Sequence, residues 1–240
     1  MFEIEGFVIR LTPFKEHDAM VNVLSKERMY SFLAKGVLKY ESKNSASVNM
    51  YAKGRYSLSK GKEGMNLRVG ELLDSYENIK TNLDALTILD LMGEVTNKLI
   101  QSEDTKNIYD EFEKCLTLIN SGFDPYTVGL IYLAHVLNVI GYGLDVDRCV
   151  ICGQTSQIVA VSYVDGGFIC QNCFDPLKHV KCTSRKLKII RYIFKVGVND
   201  YDKISFDKNE VIEILGELHQ FILDVIQIDL KSIKTIKKLA

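Results

Sequence analysis

Cys149-Val150-Ile151-Cys152 and Cys170-Gln171-Asn172-Cys173 form two C-x2-C pairs with 17 residues between them, a spacing found in four-cysteine zinc sites. The reason is geometric. A C-x2-C turn brings two sulfurs of one knuckle to one ion, and a hairpin returns the second pair from the opposite side to complete a tetrahedron. The sequence between the pairs supplies that hairpin. Ile158 to Tyr163 is β-rich, Asp165-Gly166-Gly167 is a turn signal, and Phe168-Ile169 leads back into Cys170. Gly153 follows the second cysteine, where a tight knuckle often needs positive φ. Four thiolates leave no open coordination position, so one structural Zn2+ held by Cys149, Cys152, Cys170 and Cys173 is expected. A redox dithiol needs only one such pair. His179 and Cys182 lie just past the second knuckle; they read as spare residues, with a ligand role as the alternative. Cys115 falls on an apolar helical stripe and reads as a small buried hydrophobe.

Outward from the module the period of the apolar pattern changes. On the N-terminal side, Leu83 to Val95, Ile108 to Ile119 and Tyr126 to Ile140 repeat at helical spacing. The last of these is apolar nearly all round, as expected at the centre of a bundle. On the C-terminal side, Leu187 to Phe194 and Val211 to Val225 predict two amphipathic helices, the first capped by Thr183-Ser184. Before residue 77 the pattern is β-type: Phe2 to Ile9, Ala19 to Leu24, Tyr30 to Ala34, Met50 to Leu58 and Met65 to Val69. Five short strands, with Thr12-Pro13 and Ser25 to Arg28 as punctuation, predict a small closed barrel. The polar loop Ser42 to Ser47 is expected to project into solvent. The chain thus divides into a barrel over 1–76, a helical domain over 77–145 and 183–240, and an inserted four-cysteine module over 146–182. The fold class is α+β.

The 240 residues carry 30 bases and 31 acids, with six cysteines and no tryptophan. Nearly half the chain is apolar and a quarter charged, an ordinary globular composition. Met1 to Glu5 carries acids where a secretory signal would carry bases. A cytoplasmic protein with reduced thiols is expected, and with it metal binding in place of disulfides. The near-zero charge is a cancellation. Residues 1–69 hold 12 bases against 7 acids, 70–145 hold 4 against 13, 146–182 hold 3 of each, and 183–240 hold 11 against 8. Nine of the bases fall within 26–62, beside only Glu27 and Glu41. Such asymmetry suits a protein that meets a polyanion with one part only, although a solvated lysine-rich surface has the same composition. Candidate phosphate contacts are Lys35, Lys39, Lys43, Lys53, Arg55, Lys60 and Lys62, with Tyr40, Tyr51 and Tyr56 as candidates for base stacking. A second basic run, Arg185 to Lys195, reads as a solvated helix face, or as a contact for DNA or an acidic peptide. No phosphate-binding G-x-x-x-x-G-K-[ST] loop, G-x-S-x-G elbow or H-x-E motif occurs, and the four histidines are scattered, so an enzyme is not expected.

The combination of barrel, helical domain and inserted cysteine module resembles the RecO family of bacterial recombination mediators. The residues that carry the likeness are Gly6-Phe7-Val8-Ile9, Glu16-His17-Asp18-Ala19-Met20-Val21, Leu33 to Lys39 and Ser42-Lys43-Asn44. Cys149-x2-Cys152-Gly153 and Gly166-Gly167-Phe168-Ile169-Cys170-x2-Cys173 complete it. Members often carry a pair of arginines where this chain has Val37-Leu38-Lys39, which thins the basic cluster. The resemblance implies an N-terminal OB-fold barrel and a zinc-stabilised finger in a cytoplasmic, nucleoid-associated protein. It implies binding to single- and double-stranded DNA, annealing of complementary strands, and loading of RecA onto strands covered by single-stranded-DNA-binding protein (SSB). RecR and the acidic C-terminal tail of SSB are the implied partners, with no nucleotide hydrolysis and no membrane. An RNA-binding protein of the translation or transcription machinery is the alternative reading, because barrels and zinc ribbons recur there.

Overall fold

A computed structural model describes residues 1–62, 64–100, 105–196 and 204–239, and the chain forms two compact units, 1–122 and 123–240. In the first unit, β1 (Phe2–Phe14) pairs antiparallel with β2 (Asp18–Ser25) and with β4 (Lys53–Gly61). β3 (Met29–Ala34) pairs with β2 and runs parallel to β5 (Gly64–Asp74), which returns antiparallel to β4. The order β1-β2-β3-β5-β4 closes a barrel, so the expected five-stranded architecture is present. Period-two alternation drives it: Ala19, Val21 and Val23 on β2 and Tyr30, Phe32 and Ala34 on β3 all point inward. Gly6 permits the close approach of β1 to β2, because a Cβ there would lie 2.3 Å from the Leu24 carbonyl oxygen.

Two helices complete this unit, α1 (Leu83–Leu99), capped by Asn82, and α2 (Lys106–Asn120). Phe7 on β1 is fully buried, with ring centroids 5.0 Å from Tyr109 and 5.4 Å from Phe112 of α2. The Asn22 amide of β2 donates to Asn97 of α1 at 2.7 Å, and Thr105 Oγ1 donates to the Ser25 carbonyl at 2.6 Å. Cys115 is wholly buried on α2, and burial pushes its thiol pKa well up.

The second unit opens with α3 (Pro125–Val139), where Asp124 caps the helix and Pro125 supplies the preset φ of a first helical turn. α3 buries nearly its whole circumference, as its apolar sequence predicts. A three-stranded sheet follows, β6 (Asp145–Cys149), β7 (Ile158–Ser162) and β8 (Gly167–Cys170), in the order β6-β8-β7. Then come α4 (Ser184–Lys195), α5 (Lys208–Phe221), a π turn over Ile222–Ile226 and α6 (Lys231–Leu239). Thr183 caps α4 as expected, its hydroxyl accepting from Lys186 N–H at 3.1 Å.

Several local expectations are corrected. β1 runs through Thr12 and Pro13 to Phe14, and the turn falls at Lys15–His17, with Lys15 at φ 58. β4 starts at Lys53, not Met50, because Tyr51 takes a left-handed conformation (φ 65) and turns the chain into the strand. The loop over 42–47 is tied to the barrel and does not project. Asn44 Oδ1 accepts from Gly70 N–H at 3.0 Å, and Ser47 is buried. α6 was not expected from the pattern.

Candidate metal centre and nucleic-acid interface

Cys149 ends β6 and Cys170 ends β8, so one sulfur of each pair is fixed by a strand. The knuckle turns supply the other two. Gly153 N–H donates to the Cys149 carbonyl at 2.8 Å, with Gly153 at φ 78, and Cys173 N–H donates to the Cys170 carbonyl at 3.1 Å. The Asp165-Gly166-Gly167 turn returns β7 into β8, pairing Ser162 with Gly167. The result brings all four Sγ atoms within 4.8 Å of one another, with Cys152 and Cys170 sulfurs 3.6 Å apart. Tetrahedral ligands on Zn–S bonds of about 2.3 Å stand about 3.8 Å apart, whereas a disulfide needs about 2.0 Å. The spacing therefore fits a shared ion.

The electrostatics agree. Burial opposes ionisation of Cys149, but backbone N–H groups of Cys170, Cys152 and Ile151 aimed at its sulfur hold its pKa down to about 6. Cys173 is pushed up to about 12, first by its hydrogen bond with Cys152, then by burial and the other two sulfurs. Four thiolates at this separation repel one another, and a dication is what lets all four ionise together. His179 and Cys182 stand outside the four-sulfur cluster. His179 Nδ1 accepts from Asp175 N–H at 3.1 Å while Nε2 lies 3.0 Å from Asp165. The Cys182 thiol donates to the Val180 carbonyl at 3.7 Å. Both belong to the module's internal framework.

The candidate nucleic-acid contacts separate into three groups. Lys35, Lys39, Lys43, Lys60 and Lys62 are exposed, and none forms an ion pair among the described residues. Lys53 and Arg55, by contrast, are engaged on the barrel wall. Lys53, only 20 % exposed, donates to Glu113 of α2 at 2.6 Å and meets Glu5 at 3.3 Å. Burial is the largest single influence on its pKa and lowers it, but the bond to Glu113, the charge of Glu113, Tyr109 and the bond to Glu5 together outweigh it and raise the pKa. Arg55 donates to Glu71 at 2.7 Å and lies 3.7 Å from Glu5.

Tyr51 and Tyr56 cannot stack on bases, which corrects the expectation for both: each ring is buried. Tyr56 points into the barrel and its hydroxyl donates to the Ser47 carbonyl at 2.7 Å; the Tyr51 hydroxyl donates to Asp90 of α1. Tyr40 is the aromatic left in the open, fully exposed between Lys39 and Lys43. Its loop is nonetheless well braced. Gly36 N–H donates to Asp18 at 2.7 Å, Leu38 N–H to the His17 carbonyl at 3.0 Å, and Ser42 N–H to the Lys39 carbonyl at 3.0 Å.

One base was missed. Arg68 is exposed on β5, its Nε donating to Ser59 beside Lys60 at 2.8 Å. Its carbonyl accepts from Asn44, beside Lys43, at 3.5 Å. It thus links the hairpin lysines to those of the loop. In the sequence it stands alone between Leu67 and Val69, outside the basic run, and only the strand pairing reveals its neighbours.

The Arg185 to Lys195 run is mostly neutralised locally. Arg185 pairs with Glu210 at 2.7 Å, Lys186 with Glu213 at 2.7 Å and Glu217 at 2.5 Å, Arg191 with Asp147 at 2.8 Å, and Lys195 with Asp147 as well. These contacts fasten α4 to α5 and to β6.

The placement of Lys53 gives a direct prediction. Lys53→Ala removes a largely buried partner of Glu113 and is expected to destabilise the protein by about 1–3 kcal/mol. It should leave DNA affinity unchanged to within about twofold, a change worth well under 1 kcal/mol. A melting curve and a binding titration on the same variant check both halves.

Barrel, helices and sulfur cluster together define a class of protein, a β-barrel joined to a helical, four-cysteine region. Two family models match this chain, Recombination protein O N terminal over residues 1–76 and Recombination protein O C terminal over residues 80–234. The chain is 24 % identical over 231 residues to the DNA repair protein RecO of Halalkalibacterium halodurans, covering 95 % of this chain and 91 % of that protein. It is 30 % identical over 175 residues to the DNA repair protein RecO of Bacillus cytotoxicus, covering 71 % and 70 %. With that of Listeria innocua it shares 26 % over 197 residues, covering 81 % and 77 %. The chain belongs to the RecO family of DNA repair and recombination proteins. Among the described residues no helix is long and apolar enough to cross a membrane.

Proposed function

We propose that this protein is a cytoplasmic recombination mediator. It binds single- and double-stranded DNA through the barrel, anneals complementary strands, and helps RecA onto SSB-coated strands together with RecR and the SSB tail. It does so with no covalent chemistry of its own. The observation that carries the reading is the set of five exposed lysines, Lys35, Lys39, Lys43, Lys60 and Lys62, without carboxylate partners among the described residues. Annealing is downhill once strands meet, so the protein needs only to lower phosphate repulsion and keep bases accessible. Lysines that neutralise phosphates release condensed counterions and do the first. Tyr40, raised on a braced loop, stacks an unpaired base and does the second. Arg68 adds a sixth cation between the two lysine groups. The zinc ion, held by the four cysteines, supplies fold stability and no reaction step.

The test is strand annealing without nucleotide, on bare and on SSB-coated strands, together with the salt dependence of binding. Five phosphate contacts give a slope of log affinity against log salt of about −3.5 on single strands, and a sixth from Arg68 makes it about −4.2. Annealing should be accelerated on both substrates. A slope near zero, or tighter binding to structured RNA than to single-stranded DNA, would overturn the reading.

A further inference from the structure

Between the zinc module and helices α4 and α5 lies a groove of about 830 Å3 that plays no part in the metal centre or the lysine surface. Its floor is apolar, built from Tyr163, Ile189, Ile214 and Phe221, with the Tyr163 and Phe221 rings 5.9 Å apart. On the module side the rim carries Val164 and Val180, which are 85 % and 81 % exposed. Two branched aliphatic side chains standing in water beside an open apolar floor form a surface that gains from being covered.

The other wall is α5 and the turn after it. Glu210, Glu213, Glu217 and Asp224 line the groove there; the three glutamates, at intervals of three and four residues, share one edge of α5, and Asp224 continues the wall from the π turn. Among the described residues, Arg185 and Lys186 are the cations paired with this wall, Arg185 to Glu210 and Lys186 to both Glu213 and Glu217. Asp224 accepts from the Gln220 amide at 2.8 Å. Across the whole lining, five carboxylates, with Asp165 as the fifth, face three lysines, Lys178, Lys181 and Lys186. Lys178 meets Asp175 at 3.9 Å, Lys181 lies over the Phe174 ring, and Asp165 meets His179.

We infer that this groove is the docking site for a cationic amphipathic helix of a partner protein. The apolar floor takes the helix's apolar face, and the α5 edge takes its lysines or arginines. From Glu210 to Glu217 the acidic edge of α5 rises about 10 Å, about two turns of a helix laid alongside, and Asp224 lengthens it beyond the end of α5. Bases at i, i+3 and i+7 on such a helix come into register with acids spaced the same way on α5. A polyanion is a poor occupant, because the excess charge of the groove has its own sign, and the acidic SSB tail is disfavoured for that reason. The inference is independent of DNA binding by the barrel.

The experiment uses the full chain and two fluorescein-labelled synthetic helical peptides of about 15 residues, identical on a Leu/Ile face and flanked by lysines in one and by glutamates in the other. Fluorescence anisotropy should show the lysine-flanked peptide binding at least about tenfold tighter than its glutamate counterpart. Its affinity should fall about tenfold in Glu213→Lys/Asp224→Lys and again in Val180→Asp, where a charge replaces buried apolar contact. Asp224 and Val180 are in no ion pair among the described residues, so Asp224→Lys alone and Val180→Asp should melt as the parent does; Glu213→Lys gives up its bond to Lys186, so the fall in affinity must also appear in Asp224→Lys alone. No binding of the lysine-flanked peptide, equal binding of the two peptides, or binding unaffected by either variant would each overturn the assignment. Loss of strand annealing alone would leave it standing.

Discussion

Cys149→Ser and Cys173→Ser are each expected to abolish binding of the zinc ion proposed for the four-cysteine cluster and to unfold the sheet formed by residues 145–170. The strands are short, with five residues in β6, five in β7 and four in β8. Their apolar contribution is small, chiefly Val146, Ala160, Phe168 and Ile169. A three-stranded sheet of that size is marginal without reinforcement. A structural zinc contributes on the order of 10 kcal/mol, more than the net stability of many domains. The damage should spread, since Arg191 of α4 donates to the Val146 carbonyl at 2.5 Å and Lys181 forms a bridge with Ala160. Metal analysis should give one zinc in the parent and none in either variant, with a lower melting temperature and increased proteolysis within 145–182. Cys182→Ser is the control: its sulfur lies outside the cluster, so its zinc content should equal the parent's. Full zinc retention in both cluster variants would refute the site.

The same cluster should release its ion on acidification. Protons compete with the metal for all four thiolates, so bound metal is lost as pH falls. Chelator-accessible zinc should therefore rise on acidification in the parent, and show no such rise in the Cys149 and Cys173 variants.

How much of this was legible in the sequence depended on whether the signal was local. The cysteine spacing was enough, because a C-x2-C turn fixes its own geometry and the turn residues between the pairs announce the hairpin. The barrel strands were legible because β2 and β3 alternate cleanly. β5 was harder, being largely exposed along its length, and its extension to Asp74 is set by pairing with β4. α6 was missed because, among the described side chains of Lys231–Leu239, only Ile233 and Ile236 are large and buried. Its start is fixed from afar, by Leu230 N–H donating to His219 of α5 at 3.2 Å. The functional residues divided the same way. Lysine counts locate a basic region, but whether a given lysine is available depends on carboxylates distant in sequence. Glu113 engages Lys53 from 60 residues away, and Glu71 engages Arg55 from across a strand pair. Tyr40, Tyr51 and Tyr56 look alike in sequence. The left-handed turn at Tyr51 and the inward register of Tyr56 removed two of them from the surface.

That sorting makes the strongest functional prediction a comparison among side chains the sequence treats as equivalent. Lys35→Glu/Lys39→Glu/Lys43→Glu takes three cations from the braced loop. Losing three phosphate contacts shallows the salt slope by about 2.1, which is about a 100-fold loss of affinity for single strands at 0.1 M salt. Charge repulsion makes that a lower bound. Tyr40→Ala should weaken binding through a different physical route, by about 1–3 kcal/mol of lost stacking, with the salt slope unchanged because no counterion is involved. Tyr56→Phe should leave DNA affinity at the parent's value and cost about 1 kcal/mol of stability, since it loses only the hydrogen bond to the Ser47 carbonyl. A salt titration of each variant separates the cases: slope and affinity change together for the lysines, affinity alone for Tyr40, and neither for Tyr56. If the triple variant keeps the parent's slope, the loop does not touch phosphate, and the barrel must meet DNA elsewhere. If Tyr56→Phe weakens binding as much as Tyr40→Ala, the barrel opens to bring its core ring to the bases, and the closed barrel is not the form that binds.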